Sequence, residues 1–293
     1  MRNVLCSLNS TRSWMRPRGS ACPRSNTFEM AMMRILTTLS LATGLMCLVA
    51  PSAMAQDRGN PDWHLVLAPY FWFSNLGGAV SLGLPADDQR FGDLIVPVED
   101  TVLQNDWMVR AEIGKGRLRG WVNVSMAGTA NEAEIIRDVV PADTIPGTYD
   151  LQWFTTEVFA AAQVGSFSRT NSIEVYGGGR YMRHRQTVTL EGESPTTITA
   201  SWIDPVVGAR LYAEMGRRFW AAFNTDIGGF SVGSQFAWTL GGELGVHVLG
   251  PLDLAMRYNY QEVEYDNKKE GAGLYQWSNG VQQGWFFGLV LKL

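Results

Sequence analysis

The sequence predicts an all-β protein, an antiparallel transmembrane β-barrel of about ten strands, and three observations lead there. The first is strict alternation through 201–248: Ile203, Val207, Ala209, Leu211, Ala213 and Met215 oppose Asp204, Arg210, Tyr212 and Glu214. A period of two means a strand with one apolar and one polar face. The second is length, since strands of about 11 to 15 residues are long for soluble sheets and suit a tilted bilayer crossing. The third is the rhythm of the connections, alternately short and long, as in barrels with short periplasmic turns and longer external loops.

Composition narrows the class. The 293 residues carry a formal net charge of -4, which argues against nucleic-acid binding. A single apolar run, 35–50, follows Arg34 and ends at Ala53-Met54-Ala55. A basic start, an apolar centre and an A-x-A site make 33–55 a secretory signal peptide, with Gln56 opening the mature chain. Residues 1–32, rich in Arg and Ser with several competing Met starts, read as an unstructured or mis-started extension. Residues 56–293 read as one barrel domain. Cys6, Cys22 and Cys47 all precede Gln56, so the mature chain has no thiol for a disulfide, a metal or a nucleophile.

Taken in order, the first strand is 63–73, with Pro69 placed at a bulge or near the rim because it donates no ladder hydrogen bond. Residues 74–106 form a long external loop in which 76–82 either extends that strand or makes a small hairpin, and 91–104 could hold a short helix. Alternation resumes with Trp107, Val109, Ala111 and Ile113, turns at 114–117, and returns through Val122, Val124 and Met126. A loop to about 150 precedes Phe154, Val158, Ala160 and Val164; 165–171 turns into the strand of Ile173, Val175 and Tyr181. Within it Gly177-Gly178-Gly179 suits strong curvature or a close side-chain crossing. A loop at 189–200 leads to the stretch 201–248, whose turns are 216–218 and 229–234. After 249–251 come the strand of Leu254, Met256, Tyr258 and Tyr260, a polar loop at 266–280, and a last strand from Gln283 through Trp285, Phe287 and Leu289 to Leu293. A count of eight or twelve follows if the first strand or 79–84 is misread.

With the apolar parity on lipid, the lumen receives Arg110, Glu112, Arg119, Glu157, Glu174, Arg180, Asp204, Arg210, Glu214, Asp226, Glu243 and Arg257. A basic residue on the lipid side would cost about 2–4 kcal/mol near the midplane, which sets the orientation. Mixed signs in a narrow barrel predict a network of ion pairs filling the interior; a selective solute path through the same charges is the alternative. His64, His184 and His247 are the mature chain's histidines. No motif sets a nucleophile or acid beside them, so no catalytic residue is assigned and a lipid or peptide hydrolase is the lesser reading. No metal or cofactor motif is present, and Gly177–Gly179 lies within a strand, unlike a phosphate loop. Arg180, Arg183, His184 and Arg185 lie toward one loop, where they could meet lipopolysaccharide phosphates or stand as ordinary solvated charge.

Pro69-Tyr70-Phe71-Trp72, Leu76-Gly77-Gly78-Ala79-Val80, Phe91-Gly92-Asp93-Leu94, Gly178-Gly179-Arg180-Tyr181, Asp204-Pro205-Val206-Val207-Gly208-Ala209-Arg210 and Asp226-Ile227-Gly228-Gly229-Phe230 together resemble a largely uncharacterised family of small proteobacterial outer-membrane β-barrel proteins. The resemblance implies the barrel and its membrane, not a reaction, and no cofactor. The terminal strand, alternating aromatic and aliphatic residues, resembles the signal read by the barrel-assembly machinery, although it ends on Leu293 and not on an aromatic. The expected setting is the cell outer membrane, with its lipid and lipopolysaccharide as partners and no nucleic acid. Oligomeric state is not legible.

Overall fold

Every strand in this chain pairs antiparallel with its neighbours, and the first strand pairs with the last, so the sheet has no free edge to leave unpaired in lipid. The computed structural model describes residues 63–83, 93–97, 101–102, 104–138, 143–168, 170–270 and 273–293. The expectations for 1–32 and 33–55 lie outside them. The strands are β1 (Trp63–Leu82), β2 (Asp93–Pro97), β3 (Thr101–Val102), β4 (Gln104–Lys115), β5 (Leu118–Asp138) and β6 (Asp143–Ser168). They continue with β7 (Asn171–Leu190), β8 (Thr196–Met215), β9 (Phe219–Gly228), β10 (Phe236–Leu249), β11 (Leu252–Asp266) and β12 (Tyr275–Lys292).

Along β1 the partner changes from β4 (Trp63 to Trp72) to β3 (Asn75, Leu76) to β2 (Ala79 to Leu82). β2, β3 and β4 therefore fill one course of the wall, and the twelve strands make ten courses. Closure runs from Val66 opposite Lys292 to Leu82 opposite Tyr275, and Leu65 exchanges backbone hydrogen bonds with Leu293. Both described chain ends thus lie at one rim, the terminal end, with the turns at 116–117, 216–218 and 250–251. Pro69 pairs in register on β1 opposite Val109.

The long loops are mostly strand. Residues 75–82 extend β1 and 93–97 pair with it, so no helix forms in that described piece of 91–104. Where a connection was expected at 128–150, β5 runs to Asp138 and β6 begins at Asp143; the connection expected at 189–200 is confined to 191–195, and β12 starts at Tyr275, inside the loop expected at 266–280. The physical reason is an inversion of parity. On β7 the outward residues run Ile173, Val175, Tyr181 and then Arg183, Arg185, Thr187. The inward ones run Glu174, Tyr176, Arg180 and then Met182, His184, Val188, Leu190. The period of two continues while the greasy face crosses from outside to inside. The same exchange occurs on β8, where inward Ala200 and Trp202 follow Asp204 and Arg210, and on β11, where Val263 and Tyr265 follow Arg257. Where lipid solvates the wall, apolar side chains face out; beyond it, water solvates the wall and they pack inside.

The glycine run has two roles. A Cβ on Gly178, which faces inward, would collide with the Val158 carbonyl and the Phe159 ring. Gly177 and Gly179 face outward, and a Cβ there would meet nothing nearer than 3.5 Å and 3.9 Å. Gly178→Ala should destabilise the barrel by about 1–3 kcal/mol, whereas Gly177→Ala stays within about 0.5 kcal/mol. Urea titration of the detergent-folded protein, followed by its gel shift on heating, reads the difference.

Candidate functional site

The interior divides along the barrel axis into three zones: a vestibule at the terminal end, a layer of ion pairs, and an apolar plug at the distal end. β4 and β5 supply Arg110, Glu112 and Arg119; β7 and β8 supply Glu174 and Arg210. Each sits on its strand's inward parity, so charges from β4 and β5 meet those from β7 and β8 inside the lumen. Glu112 is the hub, with Arg110 at 2.8 Å, Arg210 at 2.9 Å and Arg119 at 3.3 Å. Arg119 also reaches Glu174 at 2.7 Å, and Arg210 lies 3.8 Å from the same carboxylate. Glu243 spans Arg110 and Arg257 at 3.8 and 3.9 Å, and accepts a hydrogen bond from the Tyr70 hydroxyl.

Deeper toward the distal end the logic is reversed, and one guanidinium serves two acids. Arg180, 1% exposed, donates to Glu157 at 2.6 Å through Nε and to Asp226 at 3.0 Å and Thr239 at 3.1 Å through Nη2. With its amide oxygen turned to the guanidinium, Gln261 accepts from Nη1 at 3.0 Å and donates to Gln282. Asn123 donates to Glu157 and the Tyr176 hydroxyl to Asp226. Such saturation matters because a buried ion pair offsets its desolvation only when its remaining donors and acceptors are also engaged. Arg110, Arg119, Arg180, Arg210 and Arg257 are matched by Glu112, Glu157, Glu174, Asp226 and Glu243, so the layer is neutral.

Two residues expected in this network have other roles. Asp204 accepts from the Trp202 indole and from the backbone of Ser234, which fastens the 229–235 connection to β8. Glu214 lies near the terminal rim, where its backbone donates to Asn171, and among the described residues it forms no ion pair with the layer. The histidines are dispersed: His64 contacts Arg119, and His247 contacts Asp253 at the terminal rim. Asp253 there also holds Lys292 at 2.8 Å and the Trp220 indole at 2.8 Å, tying β12 to β9 and β11. The sequence reading missed this clasp because its members lie on three strands.

His184 does not lie at a basic mouth. It is 1% exposed, bonds Tyr275 through Nδ1 at 2.8 Å, and is ringed by Trp153, Trp202 and Trp277 at centroid distances of 4.6, 4.9 and 5.0 Å. Trp202 stacks on Tyr265 from β11 at 3.8 Å. Leu76, Val80, Leu82, Leu94, Val96 and Ile135 pack in the same cluster. Trp202 and Tyr265 were legible as strand residues, whereas Tyr275 and Trp277 fell in the loop expected at 266–280; the parity inversion at Met182 and Trp202 was the signal that the rings point inward.

A vestibule of about 510 Å³ opens at the terminal end, lined by His64, Arg119, Asn171, Tyr212, Trp220 and Lys292 among others. Beyond it, at the ion layer, only about 60 Å³ is left between Asn123, Glu157, Arg180 and Arg257, space for a few waters. Among the described residues no group of three or more His, Cys, Asp or Glu is arranged to hold a metal ion.

No family model and no curated protein matches the chain. Among solved structures it is similar to the outer membrane protease OmpT of Escherichia coli, at 8% identity over 80% of this chain and 97% of that one, with a TM-score of 0.41. It is also similar to Neisserial surface protein A, at 10% identity over 79% of this chain and 97% of that one, with a TM-score of 0.34. The translocator domain of the autotransporter NalP of Neisseria meningitidis matches at 10% identity over 91% and 96% of the two chains, with a TM-score of 0.35.

Arg180→Met deprives Glu157 and Asp226 of the cation they share and should destabilise the barrel by about 3–5 kcal/mol. Adding Glu157→Gln and Asp226→Asn to the same chain should restore most of the loss. The urea midpoint of the detergent-folded barrel measures both.

Proposed function

We propose that this chain is a closed barrel of the Gram-negative outer membrane with a structural role, its lumen shut by ion pairs and by an aromatic plug. One observation carries the reading: Arg180, fixed by Glu157 and Asp226 across the lumen, lies beneath a second seal in which His184 is packed among four aromatic side chains. A solute entering from the vestibule meets one barrier and then the other.

The outer-membrane setting is supported by the outward belt of Leu65, Phe71, Val158, Val207, Phe223, Leu244 and Phe287, each more than a third exposed. Water would not tolerate so continuous an apolar wall, whereas lipid favours it. In this setting the terminal end, with its short turns, faces the periplasm, and the distal plug rises beyond the outer leaflet. A non-enzymatic role is supported by the enclosure of His184, whose ring is buried among aromatic side chains and bonded to Tyr275 through Nδ1.

Wild-type protein from Gln56 onward, reconstituted in a planar bilayer, is expected to give no steady current. Trp153→Ala combined with Arg180→Ala removes a member of each seal and should produce flickering conductance. A steady, charge-selective current through the wild-type barrel would replace the closed reading with a narrow pore. Hydrolysis of lipid or peptide that His184→Ala abolishes would replace it with an enzyme.

A further inference from the structure

The two arginines that flank His184 in sequence point away from it. Arg183 and Arg185 are exposed on the outward parity of β7, and neither has an ion-pair or hydrogen-bond partner among the described residues. They stand one and two same-face steps beyond Tyr181, each step about 6–7 Å along the strand. Tyr181 packs edge-on against Phe154 of β6, so the two form part of an aromatic girdle at the level where acyl chains give way to headgroups. On the β8 side the wall offers hydroxyls: Ser201 faces Arg183, Thr199 faces Arg185, and Thr187 is hydrogen-bonded to Thr197. On the β6 side Phe154 faces Arg183 and Gln152 faces Arg185, with Asp150 one outward step beyond, opposite Thr187.

Directly below the girdle lies the second observation. Gly177 and Gly179 are outward positions with ordinary space over their Cα atoms, so close packing does not require glycine there. Their neighbours Val158 on β6 and Val207 on β8 are 54% and 51% exposed and stand proud of them. The lipid face of β7 is therefore a shallow channel between valine walls, leading up to two unpaired arginines and a field of hydroxyls.

We propose that this face of β6, β7 and β8 is a docking site for one phosphorylated glycolipid of the outer leaflet. An acyl chain lies in the glycine channel, a phosphate bridges Arg183 and Arg185, and the sugar meets the threonine hydroxyls. A guanidinium on a membrane-facing wall with no carboxylate bonded to it is satisfied by a phosphate in fork geometry better than by water alone. The proposal rests on the outer-membrane reading.

Native mass spectrometry of the barrel in mild detergent, with diphosphoryl lipid A and then phosphatidylcholine as the added probe, tests it. Wild-type protein should retain one lipid A and not phosphatidylcholine. Arg183→Gln with Arg185→Gln should weaken retention by about fivefold or more for each charge removed. Gly177→Val with Gly179→Val should weaken it with both arginines intact, an effect that a purely electrostatic surface would not show. Each variant's heat-dependent gel shift reports whether it folds; all four positions face outward, so folding should persist. Equal retention of lipid A by the arginine variant, or its complete displacement by inorganic phosphate, would overturn the site while leaving the barrel standing. A wild-type chain soluble without detergent would overturn the membrane reading and this site together.

Discussion

A strand in a closed barrel shows alternate side chains to two solvents, and when one solvent is hydrocarbon every charge must turn to the other side. The ion-pair layer follows from that constraint. Ten courses enclose too little volume for hydrated charges, so Glu112 gathers three arginines and Arg180 gathers two carboxylates and two polar neighbours. Equal numbers of the two signs leave that layer neutral, and the surrounding Tyr70, Asn123 and Tyr176 donate further hydrogen bonds to Glu243, Glu157 and Asp226.

The same constraint explains why the distal third is built in the opposite sense. Once the wall emerges into water the hydrophobic effect acts inward, and Trp153, Met182, Trp202, Trp277 and Tyr275 form a core like that of a soluble protein. His184 belongs to this core, not to a reactive mouth. The line where the two senses meet passes between Tyr181 and Met182 on β7 and between Ile203 and Trp202 on β8. Arg183 and Arg185 sit just beyond it, which is why they fall at headgroup height without any loop to carry them.

The terminal end is held differently. Asp253 joins His247, Trp220 and Lys292, while Leu65 pairs with Leu293, so the seam between first and last strands is secured near the chain end. The vestibule behind it reaches from Lys292 and Tyr212 inward to Glu112 and Arg210 of the ion layer.

Alternation in the sequence determined the fold class, a count of about ten with eight or twelve left open, and the inward parity of the charges in the ion layer, because a period of two is a property of the local chain and survives any tertiary arrangement. Arg110, Glu112, Glu157, Glu174, Arg180, Arg210, Asp226 and Glu243 could all be named as inward from parity alone. Strand length was underread where the greasy parity changed sides, since 143–150 and 275–280 look like loop when the apolar face is expected outside. Partner choice was decided only by the tertiary structure. Asp204 turning to Trp202 and Ser234, Arg180 spanning to Asp226, and His184 packing among rings from β6, β8 and β12 depend on strand register and on which strands face one another across the lumen. Apart from Trp202 with Asp204, those contacts join residues far apart in the chain, and no local pattern encodes them.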